Sequence, residues 1–312
     1  MKKRILIIKL GALGDVVMST GAIKAIREHH PEAHIALLTT KPQLSILKNN
    51  PNVDEIILDD RKKPWNLFYL ADIYKKLQGW DFIYDLQNNR RTTGVYFRLA
   101  KNAQGKKPNW SGIAEGCSHP QPKENRPNMH VVDMLNDQLK HAGISTADYW
   151  PNISYAKQDC SEILSAHHIN PEKLVVLVPG CSASRPMKRW PHYAALAKVL
   201  MEKGYQVAVI GTNDERDVLD AIEKETGCIN LCNKTNLGQL LDLTGKAHCV
   251  IGNDTGPIHM AAASGAKGVG IFGWASNTVR SSPRGEGMTT IKKEDIGAIT
   301  PQEVLQAALL SE

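Results

Sequence analysis

The sequence lacks the hallmarks of several large protein classes. No apolar run in its 312 residues approaches the roughly 18 residues that span a bilayer. The short run at 5–10, after MKKR, is too brief for a secretory signal and has no small-residue cleavage site. No segment is of low complexity. The sequence therefore predicts a globular protein that is made and kept in the cytoplasm.

Signals for metals, disulfides and dinucleotides are also missing. The six cysteines are scattered, and the close pair Cys228 and Cys232 has no second pair or histidine at zinc spacing. We therefore expect reduced thiols, no metal site and no bound cofactor. The pattern G-x-G-x-x-G at 268–273 lies within a predicted strand, where it cannot bridge a strand and a helix. A dehydrogenase is accordingly disfavoured.

The basic charge is confined to the first half of the chain. Residues 1–150 contain 22 Lys/Arg and 15 Asp/Glu, whereas residues 151–312 contain 16 and 17. Clusters at 61–63, 90–91 and 98–107 favour an anionic partner such as a phosphate, a carboxylated sugar or a membrane surface, or else form a solvated basic face. Nucleic acid is disfavoured, because these clusters are not interleaved with aromatic residues and no nucleic-acid motif accompanies them.

The length predicts two domains, and both halves alternate short apolar runs with amphipathic segments, as βαβ units do. In the first half we expect strands at 4–10, 34–39, 55–58 and 81–85, helices at 16–29 and 130–142, and a long loop at 101–128. In the second half we expect strands at 174–178, 205–210, 229–231, 249–251 and 268–272, and helices at 190–203, 214–225, 236–246, 257–264 and 301–310.

The predicted fold class is α/β, with two doubly wound, Rossmann-like domains that face each other across a cleft. The boundary falls between domain 1–152 and domain 153–312, and the last helix is a candidate for packing back on the first domain. Because ligands of open α/β sheets bind outside the carboxyl ends of strands, strand-to-helix junctions are where functional residues are expected.

The first such junction is LGALGD, at 10–15. Gly11 and Gly14 permit a tight turn, and Asp15 lies just before the predicted helix. An aspartate there is either a helix cap, which accepts hydrogen bonds from the first turn, or a residue that takes part in chemistry.

The second and third junctions are suited to an anion. In PGCSASRPMKRWP, at 179–191, two hydroxyls (Ser182 and Ser184) and three cations converge, which suits a phosphate or else makes a basic surface loop; the spacing is not that of a Walker A loop. In VIGNDTGPIHM, at 250–260, a strand ends in a turn and Pro257 opens a helix, whose first amides favour an anion. The polar residues of this turn are Asp254, Thr255, Gly256 and His259.

Together these junctions resemble glycosyltransferase family 9, the ADP-heptose:lipopolysaccharide heptosyltransferases. The resemblance covers nearly the whole chain, through KLGALGDVVMSTGAI, VPGCSASRPMKRWP, IGTNDER and LLDLTGKAHCVIGNDTGPIHMAAASGA. It implies a GT-B fold, an acceptor bound by the first domain and an ADP-sugar bound by the second. The chain departs from the family pattern at 274–276, where Trp-Ala-Ser follows Phe-Gly.

The resemblance also implies roles for individual residues. Asp15 matches the proposed general base of an inverting transfer, and Lys188 matches a phosphate-contacting lysine. The donor site would consist of Ser182, Ser184, Lys188, Glu215 near the ribose, Asp254, Thr255, Gly256 and His259. Asp214, next to Glu215, is the alternative acid for the ribose. Without the Asp-x-Asp motif that commonly holds a metal and a nucleotide, no metal is required. The anionic lipopolysaccharide core would meet Arg61, Lys62, Lys63, Arg90 and Arg91, with peripheral contact at the inner membrane surface.

Two other functions remain open at this stage. The same fold would serve an enzyme that uses another nucleotide sugar in surface-glycan synthesis. A non-catalytic protein that binds nucleotide sugars would also retain the donor residues, although it would not require an acid at position 15.

Overall fold

The computed structural model describes residues 2–63, 65–122, 124, 126–146, 149–182 and 184–309. Its contacts divide the chain into two compact units, Met1–Pro151 and Asn152–Glu312. In each unit, amphipathic helices alternate with short apolar strands, and all the paired strands run parallel. No helix within the described residues is both long and apolar enough to cross a membrane.

The first unit contains one six-stranded sheet in the order β3-β2-β1-β4-β5-β6. Its strands are β1 Arg4–Ile8, β2 His34–Thr39, β3 Glu55–Leu58, β4 Phe82–Asp85, β5 Asn109–Gly112 and β6 His119–Pro120. Its helices are α1 Leu13–Met18, α2 Thr20–His29, α3 Leu44–Leu47, α4 Leu67–Lys76, α5 Phe97–Leu99 and α6 Val131–His141, with a π-helix at Arg91–Tyr96.

Side-chain alternation along β1 builds a core on each face of this sheet. Ile5 and Ile7 pack into a cluster with α2 and α6, whereas Leu6 and Ile8 pack into a second cluster with Tyr69 and Ile73 of α4. Because β1 is buried on both faces, it reads in the sequence as a continuous apolar run.

The second unit repeats this topology with the sheet order β12-β11-β10-β7-β8-β9. Its strands are β7 Leu174–Val178, β8 Gln206–Val209, β9 Ile229–Asn230, β10 Cys249–Asn253, β11 Gly268–Phe272 and β12 Met288–Lys292. Its helices are α7 Ser161–Ala166, α8 Tyr193–Glu202, α9 Arg216–Thr226, α10 Leu237–Lys246, α11 Gly256–Ala263, α12 Thr278–Ser281 and α13 Pro301–Leu309. The last helix packs against α8, β11 and β12 of its own unit.

Two expectations from the sequence are wrong. The helix expected at 16–29 is two helices, because the hydroxyls of Ser19 and Thr20 donate hydrogen bonds to the carbonyls of Val16 and Val17 and interrupt the run. The loop expected at 101–128 contains β5 and β6, which extend the sheet beyond β4. These strands are too short, at four and two residues, to show a period in the sequence.

Candidate active site

The order of the strands determines where each unit can bind a ligand. In both sheets the direction of winding reverses in the middle, between β1 and β4 in the first unit and between β7 and β10 in the second. At such a switch point the loops after adjacent strands diverge and leave a crevice at the carboxyl edge of the sheet. All three sequence junctions follow strands at these switch points.

Two side chains from the loops that follow the neighbouring strands β4 and β2 hold the loop after β1. The amide of Leu10 donates to Oε1 of Gln87 at 2.8 Å, and Thr40 donates through Oγ1 to the carbonyl of Leu10 at 3.0 Å. Gly11 has a φ of 137°, a conformation that favours glycine. The start of α1 is thereby fixed over the edge of the sheet.

Asp15 is not a helix cap, so that alternative is wrong. The cap position of α1 belongs to Ala12, which offers no side-chain hydrogen bond, because the helix begins at Leu13, two residues before Asp15. Asp15 is the third helical residue and lies in the first turn, where the helix dipole favours a negative charge. Its side chain is partly exposed.

Two buried charges beside this loop were missed by the sequence reasoning. Lys9 is 4% exposed and donates through Nζ to the carbonyl of Leu86 at 3.1 Å. Burial lowers the pKa of Lys9, whereas the charges of Asp15 and Asp85 act to raise it. Burial raises the pKa of Asp85 to about 6, against hydrogen bonds from the amides of Asn88 and Gln87. Lys9 is therefore a buried cationic neighbour of Asp15.

Among the basic residues predicted to contact the acceptor, Arg91 lies against the segment 61–63. Arg61, Lys62 and Lys63 are exposed, and Arg91 binds the backbone of this segment through its guanidinium, at 2.9 Å to the carbonyl of Lys62 and 3.4 Å to that of Arg61. Arg91 also donates to Oη of Tyr69 at 2.7 Å. Arg91 thus fixes the segment, and exposed Arg90 precedes it at the start of the π-helix.

In the second unit the structure brings together three residues that the sequence reasoning had selected. Nζ of Lys188 lies 2.5 Å from Oδ2 of Asp254, and Nε2 of His259 lies 3.5 Å from Oδ1 of the same carboxylate. Their side chains are 12%, 8% and 5% exposed, respectively. This Lys188–Asp254–His259 cluster lies at the start of α11, just after β10.

The electrostatics of this cluster keep Asp254 ionised. Burial acts to raise the pKa of Asp254, but hydrogen bonds from His259 and Lys188 and the charge of Lys188 outweigh it and hold the pKa at about 2. Lysine carries three N–H donors, of which Asp254 takes one, so Lys188 retains donors for a second anion. Nδ1 of His259 is buried and has no hydrogen-bond partner among the described residues.

Asn253 fixes both switch-point loops and was also missed. Its Oδ1 accepts from the amide of Trp190 and the hydroxyl of Tyr193, each at 3.0 Å. Its Nδ2 donates to the carbonyls of Pro179 and Gly180 at 3.0 and 3.1 Å. This fully buried amide therefore ties the loop after β7 to the loop after β10. Its only signal in the sequence is a polar residue at the end of an apolar strand.

The remaining predicted donor residues surround this junction. The hydroxyls of Ser182 and Ser184 lie 2.9 Å apart on the exposed loop after β7. Thr255 is the cap residue of α11, and Gly256 is its first residue. Glu215 forms a capping box with Thr212, whose amide and hydroxyl lie 2.9 and 2.6 Å from Oε2. The Glu215 side chain lies against Gly180, where an added Cβ would come within 2.9 Å.

These features define a class of protein. Two doubly wound units, the second with a lysine, hydroxyls and a helix start at its switch point, are the arrangement of a GT-B glycosyltransferase. The family follows from comparison of the chain: the model of glycosyltransferase family 9 (heptosyltransferase) matches residues 73–302, and the chain belongs to that family.

Similar proteins agree with this assignment. Lipooligosaccharide heptosyltransferase 2 of Haemophilus ducreyi is 26% identical over 284 residues, which are 83% of this chain and 80% of that protein. A family 9 glycosyl transferase from Veillonella parvula matches with a TM-score of 0.86 and 22% identity, over 99% of this chain and 97% of that one. The ADP-heptose lps heptosyltransferase II of E. coli matches with a TM-score of 0.77 and 23% identity, over 100% and 98%.

Proposed function

We propose that this glycosyltransferase moves a heptosyl residue from ADP-heptose to an anionic acceptor of the lipopolysaccharide inner core, with inversion at the anomeric carbon and without a metal. The Lys188–Asp254–His259 cluster is the observation that carries the proposal, because it presents a buried cation beside a helix start. The names of similar proteins support the donor and the acceptor class.

In this proposal, the second unit binds the donor. The diphosphate would lie against Lys188, the hydroxyls of Ser182, Ser184 and Thr255, and the first amides of α11 at Gly256. As the bond to the sugar breaks, negative charge grows on the departing diphosphate, and donors fixed before the reaction stabilise it. Asp254 and His259 position Lys188 and the turn, and Glu215 is assigned to the ribose.

The first unit binds the acceptor, and Asp15 is the general base. The Asp15 carboxylate takes the proton of an acceptor hydroxyl while that oxygen attacks the anomeric carbon. The carbon–oxygen bond to the diphosphate breaks and ADP departs. Buried Lys9 is an electrostatic neighbour of this carboxylate, since the charge of Asp15 acts to raise the pKa of Lys9.

The acceptor's carboxylates and phosphates would meet the basic residues of the first unit. Arg61, Lys62 and Lys63 expose their charges, and Arg91 holds the backbone of this segment in place. Arg90 is the remaining contact that we assign to the acceptor. The enzyme would act in the cytoplasm, at the inner face of the membrane.

Asp15→Asn tests the assignment of the base. We expect transfer from ADP-heptose to a Kdo-bearing lipid A acceptor to fall by about 10²-fold or more, and calorimetric binding of ADP to stay at the wild-type value. Asp133→Asn is the matched control, since Asp133 is also the partly exposed third residue of a helix in the same unit. Wild-type transfer by the Asp15 variant would remove Asp15 from the mechanism.

The donor is tested separately. Calorimetry with ADP-, UDP- and GDP-sugars on the wild-type protein should favour the ADP-sugar. Preference for another nucleotide would show a different surface-glycan transferase. Binding without transfer to any acceptor in a panel would indicate a non-catalytic nucleotide-sugar protein. Mass spectrometry of lipopolysaccharide from a strain lacking this protein would identify the step by the point of truncation.

A further inference from the structure

Helix α4 has two apolar faces, and one of them faces solvent. Tyr69, Ile73 and Leu77 follow one another at helical spacing and are buried in the core of the first unit. Leu67 and Tyr74, seven residues apart on another face, are 77% and 48% exposed. An amphipathic helix needs a single apolar face to pack on its own sheet, so packing does not explain the second one.

The residues at the start of α4 enlarge this exposed face. Phe68 is 90% exposed and Trp65 is 74% exposed, so Trp65, Leu67 and Phe68 form a dense group within four positions of the chain. The other large apolar side chains that are exposed among the described residues are distributed along the chain: Trp150, Met187, Met201, Trp274 and Val279. Single exposed apolar residues are ordinary, whereas a group of them marks a site of interaction.

The surroundings of this group are basic. Between residues 60 and 76 the chain carries five Lys/Arg and two Asp. One of these acids, Asp72, is paired with Lys76 at 2.5 Å. Nζ of Lys63 lies 5.1 Å from the ring centre of Trp65. Cations beside Trp, Leu and Phe form the composition that binds the interface of an anionic membrane, where apolar rings enter the acyl boundary and ammonium groups meet the headgroups.

Hydrogen bonds hold the backbone of the basic segment 61–62 in a fixed position beside α4. Arg91 donates to the carbonyls of Arg61 and Lys62. Tyr69, on the buried face of α4, donates to Oδ1 of buried Asp59 at 2.8 Å and accepts from Arg91. The basic segment and the helix are therefore tied to one buried hydrogen-bond network.

We propose that Lys62, Lys63, Trp65, Leu67, Phe68 and Tyr74 form a docking face that binds the surface of an anionic lipid bilayer. The charge favours this occupant over a second copy of the chain, because two such basic faces would repel each other. This docking face rests on the proposed function, which places the enzyme at the inner face of the membrane, and it names the residues that bind there. An acceptor anchored in lipid requires such a contact.

Vesicle co-sedimentation tests the docking face. The probes are vesicles of phosphatidylcholine alone and vesicles of phosphatidylcholine with phosphatidylglycerol. The wild-type protein should bind the second kind and be released by salt, since counterions screen the basic residues. The Leu67→Ser/Phe68→Ser variant should bind at least about tenfold more weakly, because two large side chains no longer enter the bilayer.

A matched control makes the loss specific. Met201→Ser/Val279→Ser removes two apolar side chains that are also exposed, at 36% and 59%, and should bind vesicles as the wild type does. Both variants should melt at the wild-type temperature because the replaced side chains contact solvent. The docking face is refuted if the wild type ignores phosphatidylglycerol, if Leu67→Ser/Phe68→Ser binds normally, or if that variant instead dissociates a dimer in light scattering.

A parallel assay separates this inference from the proposed reaction. Transfer to an acceptor stripped of its acyl chains should be equal in Leu67→Ser/Phe68→Ser and in the wild type. Vesicle binding without any transfer by the wild type would refute the reaction and leave the docking face standing. Transfer by a wild-type protein that does not bind vesicles would refute the docking face and leave the proposed reaction standing.

Discussion

Lys188→Met keeps most of the length of the side chain and removes its charge, so it isolates the ammonium of the Lys188–Asp254–His259 cluster. In the wild type this ammonium lies 2.5 Å from Asp254, and both side chains are largely buried, at 12% and 8% exposure. The variant leaves the Asp254 carboxylate buried with His259 at 3.5 Å as its remaining partner in the cluster. A buried charge that loses its partner is strongly destabilising.

The pKa of Asp254 gives the size of the expected loss of stability in Lys188→Met. Burial alone would raise this pKa, and the interactions with His259 and Lys188 lower it from 3.8 to about 2. A carboxyl whose pKa is lower in the folded state stabilises the fold above its unfolded pKa, and this stabilisation is lost as the pH falls from about 4 to about 2. The whole depression corresponds to about 2 kcal/mol, and Lys188 supplies a large part of it.

Chemical and thermal unfolding of the second unit measure the loss. At neutral pH we expect Lys188→Met to be less stable by about 2 kcal/mol, or about 5 °C in Tm. The difference in unfolding free energy between variant and wild type should become smaller near pH 3. Without Lys188, Asp254 is protonated at a higher pH in the variant than in the wild type. Lys198→Met is the control, because its partner Glu225 lies at a similar distance, 2.9 Å, but the two side chains are 47% and 56% exposed. An exposed pair contributes less than about 1 kcal/mol.

Two results would refute this reasoning. Equal losses of stability in Lys188→Met and Lys198→Met would show that burial does not strengthen the Lys188–Asp254 pair. Failure of a second substitution, Asp254→Asn, to restore stability to Lys188→Met would show that the uncompensated carboxylate is not the cause. ADP affinity, measured on the same samples, should stay low in the double variant, because the ammonium proposed to contact the diphosphate is still absent.

Two further predictions concern the buried polar residues. Asn253→Asp should destabilise the second unit by about 3 kcal/mol in urea unfolding, because a carboxylate cannot donate to the carbonyls of Pro179 and Gly180 that the amide now satisfies. Asp85→Asn should change how stability depends on pH: burial raises the pKa of Asp85 to about 6, so the wild type loses stability as the pH rises from about 4 to about 6, and the variant should not show this loss. Equal urea midpoint shifts for wild type and Asp85→Asn across that window would contradict the second prediction.

Much of the fold could be predicted from the sequence because its central strands are buried on both faces. β1, β7 and β10 appear as apolar runs that are followed by a lysine, by Pro-Gly and by a glycine, respectively, and parallel pairing then places their ends at one edge of each sheet. Local sequence was a poorer guide at the sheet edges. The pairing of β5 and β6 depends on β4 as a neighbour, and no local period in two to four residues reports such a contact.

The site shows the same division between local and long-range signals. Lys188, Asp254 and His259 lie in motifs at strand-to-helix junctions, and the resemblance to family 9 singled out Lys188 among the three cations of its junction. Lys9 and Asn253 lie within or beside apolar runs, and what distinguishes them is the partners that the fold brings close, 60 to 77 residues away along the chain. A sequence pattern describes a residue's neighbours in the chain, so it cannot show which distant carbonyl or amide will form a hydrogen bond with that residue.

The structure decides between the two sequence-based interpretations of Asp15, a helix cap and a residue that takes part in chemistry. An aspartate just before a helix is most simply a cap, and a capping carboxylate uses its oxygens on backbone amides. Because α1 begins at Leu13, Asp15 does not cap the helix. Its contribution to helix stability comes chiefly from its charge near the positive end of the helix dipole, an interaction of about 0.3–1 kcal/mol. Asp15→Asn should therefore cost little stability. Loss of transfer in that variant would then report on chemistry, since unfolding could not explain it.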